Sequence, residues 1–168
     1  HKTAVETILQ ALTGKGSQSI ETTQLQIVCQ RIETIVGEKQ SESKNESMIT
    51  IEKSDLPEFK NIFLTFFEES VNQTSEPDKA RKFIEDQLIR KNQRISLDAL
   101  ICEYYLKPET LQLLVNKHLL RAERNSTGGY NFELSHDTLV EPVVQAANIR
   151  RQREEEEHQI KLKNEELK

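Results

Sequence analysis

The run from Glu76 to Val143 places helix starts, short β segments and a glycine turn in an order that few small folds satisfy. Pro77 suits the first turn of a helix, where its missing N–H would have no partner anyway, and Ala80, Phe83, Ile84 and Leu88 follow at helical spacing. R-I-S-L (Arg94 to Leu97) reads as a short strand, with a helix from Asp98 to Tyr105 behind it. Pro108 then opens a third helix, E-T-L-Q-L-L-V-N-K-H. L-L-R-A-E-R-N and G-Y-N-F-E-L-S read as two strands around S-T-G-G, whose glycines permit the positive φ of a tight turn. A β-hairpin directly after a tight helix pair is the order of a winged helix-turn-helix.

The flanks are helical. Leu25, Val28, Cys29, Ile32, Ile35 and Val36 give Thr22 to Val36 one apolar face, and Gly37 is the expected stop. E-K-Q-S-E-S-K-N-E-S (Glu38 to Ser47) has no apolar residue to offset the entropy of ordering and reads as a mobile loop. M-I-T-I after it is a strand or an extended lead-in, and Ser54 and Asp55 are candidate caps for a helix carrying Phe59, Ile62, Phe63, Phe66, Phe67 and Val71. Four of the six phenylalanines lie on that stripe, so it is expected to anchor the core. At the far end, Leu139, Val140, Val143, Val144 and Ala147 start a packed helix with Pro142 in its first turns. Beyond Ile149 the residues are polar all round, with Arg150/Glu154, Arg151/Glu155, Arg153/Glu157 and Glu157/Lys161 at i, i+4, which describes a projecting, solvated helix. Ile160 and Leu167 alone do not make a coiled coil. The expected fold is therefore mostly α with a small antiparallel sheet (α+β). A helical subdomain (1–75, loop 38–47 mobile) precedes the winged helix (76–136) and a C-terminal helix with a charged linker (137–168).

Composition excludes several functions. Charged residues are 30% of the chain but the net charge is only −5, so no one-sided field draws it to nucleic acid or an acidic membrane. Cys29 and Cys102 sit in apolar runs and read as buried reduced thiols, neither a disulfide nor metal ligands. That fits a cytoplasmic protein. No apolar run approaches the roughly 18 residues of a membrane span, and H-K-T-A-V-E has no signal-peptide core. A start at His1 is expected of a piece of a longer protein. L-T-G-K-G-S (Leu12 to Ser17) is not a phosphate-binding P-loop: Leu9 stands where the first glycine belongs and Gly16 where the hydroxyl residue belongs.

Two candidate sites remain. The third helix of a winged helix can enter the DNA major groove, but Pro108 to His118 holds one acid, Glu109, and one base, Lys117, a poor match to phosphates; Arg121 and Arg124 are the nearest support. A protein or intramolecular module is favoured over a DNA-binding transcriptional regulator. The other is Ser135-His136-Asp137. Adjacent residues do not converge as a Ser/His/Asp triad must, and no glycine elbow surrounds Ser135. Ser135 or Asp137 reads as the cap of the helix carrying Leu139 to Val144. His136 is left over, beside helix N–H groups with which it can form an anion site.

Q-L-Q-I-V-C-Q-R-I (Gln24 to Ile32), A-R-K-F-I-E-D-Q-L-I (Ala80 to Ile89), L-L-R (Leu119 to Arg121) and above all Y-N-F-E-L-S-H-D-T-L-V-E-P-V (Tyr130 to Val143) resemble a known family. It is the STAND class of P-loop NTPases, signal-transduction ATPases with numerous domains, and in particular its bacterial novel STAND subgroup. The resemblance covers most of residues 20–150 and is specific in the last block. It implies that the helical subdomain is the lid that follows an upstream P-loop ATPase core, and that the C-terminal helix leads to a repeat or effector module. The class ends its winged helix in Met-His-Asp, whose histidine contacts the β-phosphate of bound ADP and holds the closed state. His136 and Asp137 match its second and third positions, while Ser135 departs from the methionine. The implied roles are an ADP phosphate contact for His136 and capping or orientation for Asp137. ADP or ATP is then a ligand of the full-length protein, with none expected on this piece alone and no catalysis in it. The implied partners are the ATPase core and, on nucleotide exchange, other copies of the protein, with neither nucleic acid nor membrane among them.

Overall fold

The structure is a computed structural model that describes residues 2–13, 20, 22–42 and 49–166. It is mostly α, with seven α-helices and two small antiparallel sheets among the described residues. They form two compact units, His1–Phe66 and Phe67–Lys168.

In the first unit, α1 (Lys2–Thr13) and α2 (Thr22–Glu42) precede a one-turn 3-10 helix, Lys53–Asp55, and the start of α3 (Phe59–Asn72). Ala4, Leu12, Ile27, Val28, Ile35, Ile62 and Phe66 are buried. Here α2 departs from expectation by running through Gly37 to Glu42, so residues 38–42 of the expected loop are helical. A single glycine in a helix costs only about 1 kcal/mol. The Ser41 hydroxyl donates to the Gly37 carbonyl at 2.9 Å and Lys39 pairs with Asp55 at 2.5 Å, both of which secure this last turn. Residues 43–47 of that loop lie outside the described residues, as do Gly14 to Ser17 of the glycine-lysine segment. The buried face of α2 is also turned: Ile27 is buried while Leu25 and Cys29 are exposed. Arg31, Ile35 and Lys39 instead face residues 54–57 across a cleft of about 350 Å³. Asp55 does not cap α3. Its carboxylate accepts from the Glu52 backbone N–H at 2.7 Å and so closes the 3-10 turn; the residues before it, 49–51, form no strand.

The second unit begins inside α3, earlier than the expected boundary at residue 76. Phe67 and Val71 are fully buried. Arg81 of α4 (Pro77–Gln87) grips α3, with both guanidinium nitrogens on Glu68 at 2.6 and 2.5 Å and the cation 5.6 Å from the Phe67 ring centre. The expected strand Arg94 to Leu97 is split between two sheets. β1 (Ile89–Arg90) and β2 (Gln93–Arg94) make a small hairpin, whose turn puts Lys91 and Asn92 at φ 51° and 58°. β3 (Leu97–Asp98) joins the second sheet, whose order is β3-β5-β4 with β4 (Leu120–Arg124) and β5 (Tyr130–Leu134) antiparallel. Between β3 and β4 stand α5 (Ala99–Tyr105) and α6 (Pro108–Asn116). The β4–β5 turn closes on Asn125, whose side chain accepts from the Thr127 and Gly129 backbone N–H groups and donates to Asp98 and Asn131, with Gly128 at φ 86°.

A second 3-10 turn, Asp137–Leu139, leads into α7 (Val140–Glu166). Leu139 before it and Val140, Val143, Ala146 and Ala147 in its first turns are buried where α7 packs on α4, and residues 151–165 are exposed all round. Arg150 ends the packed part. It bonds Glu154 at 2.9 Å, as the spacing predicted, and also reaches Glu85 of α4, whose side chain is 0% exposed, at 2.7 and 2.8 Å. Arg151 pairs with Asp86 of α4 at 2.9 Å. Burial pushes the Glu85 carboxyl above its ordinary value of 4.5, against the pull of Arg150, and its Oε1 is buried without a hydrogen-bond partner.

Two stability experiments follow. His118 holds φ 60° at the end of α6, where its N–H and that of Leu119 bond back to Val115 and Leu114 at 2.9 and 3.0 Å, an arrangement that glycine enters without strain. His118→Gly is expected to raise stability by about 0.5–1 kcal/mol in urea unfolding. Arg150→Ala strands the buried Glu85 charge and is expected to cost about 3 kcal/mol at pH 7. A carboxyl whose folded value is raised favours the folded state most below its unfolded value, and that contribution disappears as pH rises through the folded value. The loss in Arg150→Ala therefore shrinks as the pH falls toward 4.5, which unfolding curves at pH 7 and pH 5 will read.

Candidate functional site at the β5–α7 junction

β5 delivers the chain to Ser135 in a fixed register. Leu134 is opposite Leu120 and fully buried, and buried Glu133 is ion-paired across the ladder with Arg121, its partner in register. The Ser135 N–H donates to the Leu119 carbonyl at 3.0 Å and its hydroxyl to the His118 carbonyl at 2.6 Å. Ser135 is thus a brace between the end of α6 and the end of β5, and not the cap of the helix that follows.

The cap is His136 itself, where Ser135 or Asp137 was expected. With extended backbone at φ −151° and ψ 150°, its Nδ1 accepts the Thr138 backbone N–H at 3.1 Å and lies 2.8 Å from the Thr138 hydroxyl. A ring nitrogen that accepts a backbone N–H bears no proton, which leaves the ring's N–H at Nε2. The geometry therefore makes Nε2 a hydrogen-bond donor. Thr138 was missed in the sequence; the legible signal was a hydroxyl residue two positions after the histidine, the spacing of a local side-chain turn.

Asp137, 70% exposed, does not cap either. It pairs with Arg94 Nε at 2.9 Å, while the same guanidinium donates to the Leu134 and Ser135 carbonyls at 3.3 and 3.4 Å. Arg94 is thus the missed member of this site, and 43 residues of separation left no local signal for it. It holds the backbone on one side of His136 while Thr138 holds the ring.

Elsewhere the chemistry is quiet. Burial pushes the Cys102 thiol up to about 11, and its Sγ lies 3.7 Å from the Leu97 carbonyl, so it is an inert core thiol. Cys29, expected to be buried, is exposed. Among the described residues no group of three His, Cys, Asp or Glu could hold a metal, and no helix is long and apolar enough to cross a membrane. On α6 the exposed side chains include Glu109, Gln112 and Asn116 and no base. No family model, curated protein or solved structure matches the chain significantly.

His136 thus carries two separable properties, an Nδ1 acceptor that caps and an Nε2 donor. His136→Ala is expected to cost about 1 kcal/mol of stability, while His136→Asn, a strong cap, stays within about 0.5 kcal/mol of the parent in thermal unfolding.

Proposed function

We propose that residues 77–134 are a winged helix and that the chain is the regulatory lid and winged helix of a STAND-type signalling NTPase, with His136 as its contact to the phosphate of ADP. The observation that carries this reading is the bond from the Thr138 backbone N–H to His136 Nδ1. An Nδ1 that accepts the Thr138 N–H leaves the proton on Nε2, the polarity that a phosphate oxygen requires. Arg94 and Ser135 fix the backbone around the ring, so little ordering is lost when a ligand is met. The element order α4, β1, β2, β3, α5, α6, β4, β5, with β5 central in the three-stranded sheet, supports this reading, the β1–β2 hairpin being an addition to it, and the motif follows β5 directly.

In this scheme the ATPase core supplies the phosphate cradle and this chain supplies one donor. ADP in the core recruits the winged helix through His136 and holds the closed, inactive form; ATP releases it and permits assembly. α7, anchored by Arg150 and projecting beyond it, passes that change to a downstream repeat or effector module. The setting is the bacterial cytoplasm. The chain performs no reaction of its own, and ADP or ATP is bound by the full-length protein. A DNA-binding role is disfavoured because the exposed face of α6 offers phosphates no cation.

The deciding experiment is His136→Asn in the full-length protein that includes the ATPase core. With the cap kept and the Nε2 donor lost, ADP is expected to bind about 10- to 100-fold more weakly, the worth of one charge-assisted hydrogen bond, with a shift toward the assembled form. Unchanged ADP affinity together with unchanged assembly refutes the reading. Salt-sensitive binding of duplex DNA by this chain, read by fluorescence anisotropy, would support the DNA-binding alternative instead.

A further inference from the structure

α5 is a helix of seven residues, A-L-I-C-E-Y-Y, that is apolar on nearly every side. Cys102 and the following Leu106 are buried against the core. On the other side Leu100 is 79% exposed, Tyr104 85%, Ile101 48% and Tyr105 39%. Leu100 and Tyr104 are one turn apart, as are Ile101 and Tyr105, so the four form a double row along one face. A helix that is hydrophobic all round is normally covered, and a contiguous exposed apolar patch marks an interaction surface.

The patch is also stiff. Asp98 caps α5 through the Leu100 N–H at 2.9 Å, and the Leu106 N–H closes its last turn on the Cys102 carbonyl at 3.0 Å. The Tyr105 ring lies 5.5 Å from that of buried Phe83, and Tyr104 stands edge-on to Tyr105 at 5.3 Å and 87°. Aromatic side chains held in advance lose little entropy on contact, which is what a binding anchor needs.

We propose that this face of α5 docks a short amphipathic helix with basic flanks from another protein. Two observations choose that occupant. Of the charged residues from Asp98 to Glu109, Asp98, Glu103 and Glu109 are acidic and Lys107 alone is basic, and Glu103 is exposed beside the Leu100–Tyr104 row. The rim complements a cation and repels an acid. The four side chains present on the order of 500 Å², below the roughly 800 Å² per partner of a stable protein pair, so two copies of this chain meeting face to face bury too little. Two or three turns of helix, with apolar residues at i, i+3, i+4 and i+7, match a double row of this length. The surface is distinct from the His136 junction, and the proposal does not depend on the nucleotide role.

Tyr104, Tyr105 and Tyr130 are the chain's three tyrosines and it has no tryptophan, so its own tyrosine emission reports on this face. The probes are two synthetic 18-residue peptides free of aromatic residues, leucine at the spacing above and either lysine or glutamate elsewhere. The lysine peptide is expected to change tyrosine emission saturably at micromolar concentration, less so at high salt, and the glutamate peptide to leave it unchanged. Leu100→Ser with Ile101→Ser is expected to weaken the lysine peptide at least about 10-fold, since both side chains are exposed anchors. Glu103→Lys, which leaves the apolar row intact, is expected to weaken it and to admit the glutamate peptide. The proposal is overturned if neither peptide binds, if both bind alike, or if the serine variant binds as the parent does. It is equally overturned if sedimentation finds a dimer that the serine variant abolishes, which would assign the face to a second copy.

Discussion

The backbone from Leu134 to Asp137 is held from three directions, and the arrangement of the second unit depends on that hold. Leu134 is buried in register with Leu120, Ser135 is bonded through both its N–H and its hydroxyl to the turn that ends α6, and Arg94 takes the two carbonyls and the Asp137 carboxylate. Each such bond contributes about 0.5–1.5 kcal/mol net. Together they join α6, both sheets and α7 at one place. The chain cannot shift there by one residue, because a slip would turn Leu134 out of the core and take buried Glu133 away from Arg121, its partner in register. His136 is the residue that this hold presents, and its ring is then set by its own neighbour, Thr138.

The two ion pairs that flank α7 do different work. Arg94–Asp137 has its carboxylate mostly in water and contributes little to stability as an ion pair, so its value is positional. Glu85–Arg150 is buried at its carboxylate, and Arg150 is needed there because removing it would leave a charge that water cannot reach. The first stands beside His136; the second is placed where α7 leaves the packed core.

Element order was legible because its signals are local. Pro77 and Pro108 mark helix starts, the glycines of S-T-G-G mark the β4–β5 turn, and Asp98 caps α5. Lys91-Asn92 escaped notice because neither is glycine, although asparagine tolerates the left-handed conformation it adopts. In α2 the periodicity placed Val28 and Ile35 in the core, where the structure has them, but Leu25 and Cys29 of the same stripe are exposed and Ile27 outside it is buried. His136 was set apart for want of a structural role, yet it is the cap. Histidine ranks outside the usual capping residues, and only the ring geometry reveals the role.

What the sequence determined by itself is the succession of helices in the second unit, the β4–β5 hairpin after them and the position of His136 at the last strand-to-helix junction, because these rest on contacts within about five residues. What the tertiary structure decided is which pairs meet: Arg94 with Asp137, Glu85 with Arg150, Arg81 of α4 with Glu68 of α3, and the outward face of α5. Contacts between residues tens of positions apart are chosen by how the packed elements fit together, and hydrophobic period carries no record of that choice.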